Sequence, residues 1–310
     1  MPASFELGEE PLLARANLDR ADQVRKNPER LRAGWATARV LLVDHSGQYA
    51  VTEQGTLGWV PAISLGTEPV ADAVFLALQV VDGHEVDSWA LRVEETPDVF
   101  GEARSGAHRL PADEAGLLAT ALGMLNWHRT ASYSPIDGDP LELVQGGWLR
   151  RNPKTGAEEY PRTDPAVIMV IHDGADQVLL GRQAVWPERW FSTLAGFVEP
   201  GESLEQCVRR EVFEEAGIHV HSPHYLGSQP WPFPRSLMLG FEAIGDPADP
   251  LSFRDGELGD ARWFHRDDVL QALGRDREWN GTNTDAELLL PGSISIARSL
   301  ITGWARAPKP

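Results

Sequence analysis

The chain of 310 residues holds a single cysteine, Cys207. One thiol excludes an internal disulfide framework, and it excludes a structural zinc site built from cysteines of one chain. Basic residues are scarce beside acidic ones, 28 Lys+Arg against 46 Asp+Glu, for a formal net charge of −18. A general nucleic-acid surface needs clustered Lys and Arg to neutralise phosphates, so this balance argues against one. An anionic substrate would need metal ions or a few local cationic side chains to offset the repulsion. No apolar run reaches membrane-spanning length, and the opening MPASFELGEEPLLARANLDR is too charged for a signal peptide. The expectation is a soluble, cytoplasmic protein with no membrane partner. Internal repeats and low-complexity segments are absent too. What remains, 42% hydrophobic and 24% charged, is ordinary globular composition, at a length that favours two domains.

Against this background one stretch stands out, GFVEPGESLEQCVRREVFEEAGI from Gly196 to Ile218. Ser203 followed three residues later by Gln206 is a capping box, so a helix begins there. Gly217 is a suitable helix stop. Within that helix Glu211, Glu214 and Glu215 fall at i, i+3 and i+4, on one side. Leu204, Cys207, Val208, Val212 and Ala216 form its apolar stripe, which makes Cys207 a buried thiol. Like charges at this spacing destabilise a helix by roughly 0.2–0.5 kcal/mol per pair, and part-buried carboxylates cost more. A hard divalent cation resolves that conflict, because it prefers carboxylate oxygens and completes its shell with water and substrate phosphates. E-x-x-E-E alone is a solvated acidic face. Here Glu202, Arg210, both glycines and both aliphatic positions stand in register with it.

The stretch matches without departure the Nudix box, G-x5-E-x7-R-E-U-x-E-E-x-G-U, and on it the chain resembles the Nudix hydrolases. The resemblance implies a loop–helix–loop that binds Mg²⁺ or Mn²⁺ and hydrolyses a nucleoside diphosphate linked to another moiety. It makes Glu211, Glu214 and Glu215 metal ligands, one of them also orienting or deprotonating water. Arg210 would hold the carboxylates through charge-assisted hydrogen bonds. The backbone carbonyl of Ala195 would be a further ligand, as would Glu257, a carboxylate just ahead of a late strand.

In chain order, residues 1–34 are polar and charged, with Arg20 to Arg32 reading as a surface helix or arm. ATARVLLVDHSGQYAV gives two β-rich runs around the turn His45–Gly47, and VADAVFLALQVVDGHEVDSWALRVE repeats the pattern about Asp82–His84. Pro111, Asp113 and Glu114 open a helix that runs to about Arg129. No catalytic constellation occurs there; His45, His84, His108 and His128 read as surface or packing histidines. Thr130 to Tyr160 is rich in turn formers. AVIMVIHDG and QVLLGRQ form a strand pair, LMLGFEAIG another strand, 272–291 a long polar loop, and SISIARSLITGW an amphipathic closing helix.

SQPWPFPRS, Ser228 to Ser236, interleaves three prolines with Trp231 and Phe233, which gives a stiff loop with aromatic faces. By itself it also reads as a loop covering a core. With the box in the right order, it resembles the segment that sets NADH pyrophosphatases apart from other Nudix enzymes. The flanks Trp127–His128, Tyr160–Pro161–Arg162 and Asp164–Pro165–Ala166 agree. That family places a four-cysteine zinc ribbon between them, where this chain has Ser134, Asp137, Asn152 and Thr155. The resemblance spans roughly residues 127–310; over 1–126 it rests on position and length.

The resulting expectation is an α+β protein. Residues 1–126 form an N-terminal mixed α/β domain, 127–162 a degenerate ribbon-like segment without zinc, and 163–310 a Nudix α/β/α sandwich with a mixed sheet. The resemblance implies metal-dependent hydrolysis of NAD(H) to NMN(H) and AMP. Phe197 and Tyr160 would stack on a base, and Gln229, Pro230, Trp231, Pro232, Phe233, Pro234, Arg235 and Ser236 would form the dinucleotide site. Ala297 would approach the substrate. A homodimer whose partner lends residues such as Tyr160 is implied as well. Removal of an NAD cap from RNA 5′ ends would use the same bond and residues. A general Nudix nucleotide hydrolase and a non-catalytic nucleotide sensor are the other readings, the sensor expected to have lost box carboxylates that this chain keeps.

Overall fold

The computed structural model describes residues 4–95, 99–253, 256–275 and 287–308. It divides into two compact units, each with its own core. One comprises Arg15–Thr163 together with Pro230–Ser236, the other Met1–Ala14, Asp164–Gln229 and Leu237–Pro310.

The first unit begins with α1 (Asp22–Arg25) and α2 (Pro28–Trp35). Asn27 caps α2, its side chain accepting from the Arg30 amide, and Pro28 takes the first helical position, where no amide hydrogen is needed. The strands β1 (Arg39–Asp44), β2 (Gln48–Ala50), β3 (Trp59–Pro61), β4 (Val74–Val81), β5 (His84–Val93) and β6 (Phe100–Glu102) follow. They form a sheet ordered β4-β5-β1-β2-β6, with β3 beside β1. The β4–β5 turn falls on Asp82 and Gly83, both at positive φ, as a tight hairpin requires. Trp35, Phe75 and Trp89 meet edge to face at 5.2 and 5.5 Å and anchor the core. After α3 (Ala103–Gly106), the helix α4 (Ala112–Thr130) is buried on several faces, as its alanine- and leucine-rich sequence demands. Leu31 is buried in this core, so the stretch Arg20 to Arg32, expected as a surface helix or arm, also contributes to packing.

The ribbon-like segment carries β7 (Glu142–Val144), β8 (Leu149–Arg151) and β9 (Glu158–Glu159) as a small antiparallel sheet. It has two matching turns, Ser134-Pro-Ile-Asp-Gly138 ahead of β7 and Asn152-Pro-Lys-Thr-Gly156 between β8 and β9. In each, the glycine sits at positive φ and donates to the carbonyl of the first residue at 2.9 Å. The Ser134 hydroxyl accepts from the Ile136 and Asp137 amides at 3.2 and 3.4 Å. The Asn152 carbonyl oxygen accepts from Lys154 and Thr155 at 2.9 and 3.3 Å, and its amide nitrogen donates to Asp137 at 3.1 Å. Zinc prefers thiolate and imidazole donors, and here an N–H donor already faces the one carboxylate. These residues do not fit a structural zinc. Nearby, buried His128 donates from Nε2 to the Gly147 carbonyl at 2.7 Å and accepts from Arg150 at 2.9 Å. Burial, then the adjacent Arg150 charge, lowers its pKa to about 4, so it is a neutral packing residue.

The second unit is built on β10 (Asp164–His172), β11 (Gln177–Gln183), β12 (Leu194–Phe197), β13 (His221–Trp231), β14 (Ser236–Ile244) and β15 (Leu258–His265). The sheet order is β13-β14-β10-β11-β15, with β12 against β10. Alternation along β10 divides the cores. Val167, Met169 and Ile171 face the box helix α5 (Leu204–Ala216) through Cys207, Val208 and Val212. Ile168 and Val170 face the opposite layer, which holds α6 (Arg266–Gly274) and α7 (Ile296–Arg306). This is the expected α/β/α sandwich. Phe5 joins that second core, and Ser4 donates to the buried Glu242, which also bonds His172 at 3.3 Å. Of the expected polar loop at 272–291, α6 takes the start and Leu288, Leu289 and Leu290 are buried, while 276–286 lie outside the described residues. No helix of the described residues is long and apolar enough to cross a membrane.

Candidate active site

The box folds as its sequence chemistry dictates. Ser203 and Gln206 complete the capping box, and Gly217 ends α5 in the left-handed conformation at φ 76°. Arg210 lies at the centre of the polar side. It grips Glu202 with Nε at 3.1 Å and Nη2 at 2.5 Å, and reaches Glu211 and Glu214 with Nη1 at 2.9 Å each. Nη2 also donates to the Phe197 carbonyl at 2.9 Å, which ties helix to strand. The two-pronged contact with Arg210 lowers the Glu202 pKa to about 2. Glu211 moves the other way: burial raises its pKa against the pull of Arg210, and the charges of Glu214 and Glu257 add to the rise.

Gly196 explains how Glu211 is seated. A Cβ built there would stand 1.8 Å from the Glu211 carboxyl carbon, so only glycine lets that carboxyl lie on β12. Ala195, the residue before Gly196 on β12, pairs with Ile168 of β10. Glu215 is buried at 4% exposure, Glu214 is half exposed, and Glu257 is exposed. Carboxylate oxygens are hard donors of the kind a divalent cation such as Mg²⁺ or Mn²⁺ prefers. Among the described residues, however, no three acidic, His or Cys side chains converge as a closed cage. Three of the box carboxylates instead share the Arg210 guanidinium.

Cys207 is buried as expected, and burial pushes its thiol up to about 12, leaving it unreactive. Phe197 is 60% exposed and Tyr160 64% exposed, its hydroxyl donating to Glu158 at 2.7 Å. Gln229 is buried; its Nε2 donates to the Ile294 carbonyl at 2.9 Å, and its Oε1 has no partner among the described residues. Pro230 to Ser236 make the tip between β13 and β14, which belongs to the first unit. Trp231 and Phe233 pack edge to face at 4.9 Å, and Pro232 is buried. Arg235 closes the tip, and Ser236 begins β14. Ala297 has its side chain in the second core, so only its backbone is available to a ligand. The structure gathers the box residues, Ala195 and Glu257 in the second unit, and the proline-rich tip and Tyr160 in the first.

Two features escaped the sequence reading. The space Gly196 leaves for Glu211 had a signal, the glycine that opens the box pattern, which the steric fit explains. The hydrogen bonds of Asn126 to the proline-rich tip had none, because that asparagine lies more than a hundred residues from the tip in sequence.

A strand-seated carboxylate helix on an α/β/α sandwich defines a Nudix-type phosphoanhydride hydrolase scaffold, and the NUDIX domain model matches residues 162–284. The chain belongs to the Nudix hydrolases. It is 49% identical over 308 residues to the NAD-capped RNA hydrolase NudC of Mycobacterium bovis BCG, covering 97% of this chain and 96% of that one. The human NAD-capped RNA hydrolase NUDT12 is 39% identical over 207 residues, 64% of this chain and 43% of its own. A solved Nudix hydrolase from Nitrosomonas europaea covers 52% of this chain and 99% of its own at 21% identity, with a TM-score of 0.38. Nudix hydrolases generally use divalent metal ions.

Proposed function

We propose that this chain hydrolyses the pyrophosphate bond of NAD(H), giving NMN(H) and AMP, and removes the NAD cap from RNA 5′ ends by the same chemistry. The observation that carries the hydrolytic reading is the Glu211 carboxyl seated on Gly196 in an intact box, with the charges of Glu214 and Glu257 acting on it. The dinucleotide preference is supported by the SQPWPFP segment and by the relatives named for NAD-capped RNA. Glu211, Glu214, Glu215, Glu257 and the Ala195 carbonyl hold Mg²⁺ or Mn²⁺. Bound there, such ions neutralise the pyrophosphate and lower the pKa of the attacking water.

The chain's own groups do the rest. Arg210 fixes the carboxylates, and one of Glu211, Glu214 and Glu215 orients or deprotonates the attacking water. The water oxygen bonds to one phosphorus, the bridging P–O bond breaks, and each mononucleotide leaves as a phosphate. Phe197 and Tyr160 stack on a base, the latter supplied by the second copy of a homodimer, and the Gln229–Ser236 segment with the Ala297 backbone lines the dinucleotide. Setting and location are cytoplasmic. The domain limits are 1–126, 127–162 and 163–310, with the middle segment standing without zinc.

Product analysis with NADH, NAD⁺ and NAD-capped RNA side by side, in Mg²⁺ and in Mn²⁺, tests the reading. Release of AMP and NMNH from NADH is expected. Equal efficiency on a simple triphosphate such as dGTP would favour a general nucleotide hydrolase, and no turnover of any of them a sensor.

A further inference from the structure

The proline-rich tip has a supply problem. Proline donates no hydrogen bond, so with prolines at 230, 232 and 234 the tip has few amides of its own to meet its carbonyls. Within it, Phe233 donates to the Trp231 carbonyl at 2.8 Å. The Pro232 and Pro234 carbonyls are both met from α4: the Asn126 side-chain nitrogen donates to each at 2.9 Å. The Asn126 oxygen in turn accepts from Arg92 Nη2 at 2.8 Å. That contact fixes the amide's orientation, because the flipped form would set NH₂ against a guanidinium and an oxygen against two carbonyls. Arg92, on β5, is braced by donating its other nitrogen to the Asp44 carbonyl. The Asp44 side chain locks the β1–β2 turn by accepting from Ser46 and Gln48.

We propose that Asn126, oriented by Arg92, is a positioning residue that presets the Trp231–Phe233 tip for the dinucleotide. The proposal rests on the reading of that tip as a substrate-binding element. Asn126 acts through the loop's backbone and takes no part in bond breaking.

The discriminating variant is Asn126→Asp. It keeps the volume and keeps an acceptor for Arg92, but turns an acceptor toward two carbonyls. Its KM for NADH should rise about tenfold while kcat stays within about threefold and the melting temperature changes little. Hydrogen exchange of the Trp231, Phe233 and Arg235 amides should quicken in the same variant, a readout independent of turnover. Unchanged exchange overturns the clamp, whatever the substrate proves to be. Unchanged KM, or a fall in kcat alone, overturns the positioning role. Should wild-type protein leave NADH intact while the exchange effect is present, the substrate reading falls and the clamp stands.

Discussion

The box helix and the ribbon-like turns are both places where the family resemblance implies a metal, and their electrostatics differ in kind. In the box, three carboxylates share one guanidinium, and Glu211 is held at raised pKa by burial and by the charges of Glu214 and Glu257. That is surplus negative charge gathered on one side of α5. In the ribbon-like segment, acceptors face amide donors and Asn152 faces Asp137, while Lys154 pairs with Asp139 at 2.7 Å. There the charges and dipoles close on one another. In the box the carboxylates outnumber the one cation they share, whereas in the ribbon-like turns each donor meets an acceptor.

The comparison breaks most visibly at Glu215. Glu215→Gln removes charge without volume, so turnover is expected to fall by roughly two to three orders of magnitude, the scale of a lost acid–base or metal-binding group, with circular dichroism unchanged. Glu211→Gln should behave alike and Glu257→Gln less severely. Near wild-type rates for Glu215→Gln in either metal would remove the box from the chemistry. Chelation extends the contrast: EDTA should abolish turnover yet leave the melting temperature in place, and elemental analysis should find no stoichiometric zinc. A zinc held by Ser134, Asp137, Asn152 or Thr155 would reverse the reading of the ribbon.

Trp231→Ala or Phe233→Ala should chiefly raise KM for NADH, by about tenfold, consistent with the roughly 1–3 kcal/mol of an aromatic–base stack; a loss confined to kcat would count against it. Asn152→Ala leaves two amides and Asp137 without their partner and should cost about 2 kcal/mol, read as a lower melting point with kcat unaffected. The smallest effect concerns pH. Arg210 depresses the Glu202 pKa from 4.5 to about 2, so this contact contributes fully above pH 4.5 and is lost as pH falls through 2. Denaturation of wild type and Glu202→Gln should therefore differ by about 1 kcal/mol near neutrality, the range of partly exposed charge pairs, and converge in acid. A difference that persists at pH 2 would assign Glu202 a role other than its charge.

The sequence by itself determined what depends on local spacing. The capping box at Ser203, the stop at Gly217, the side shared by Glu211, Glu214 and Glu215, and the hairpin at Asp82–Gly83 are all legible because neighbours within a few residues decide them. The strand pair β10–β11 was legible for the same reason. Only the tertiary structure decided contacts between residues distant in the chain. Glu211 lies on Gly196 because β12 runs under α5, and Glu257 comes near it because β15 joins the same sheet. Leu288 to Leu290 are buried although their surroundings are polar, since a strand neighbour at Trp190 receives them. The two knuckle turns find each other through Asn152 and Asp137, which are fifteen residues apart. Asn126 meets Pro232 and Pro234 across more than a hundred positions. Side-chain hydrogen bonds of that range leave no periodicity behind, because nothing about an asparagine in a helix names the carbonyl it will meet.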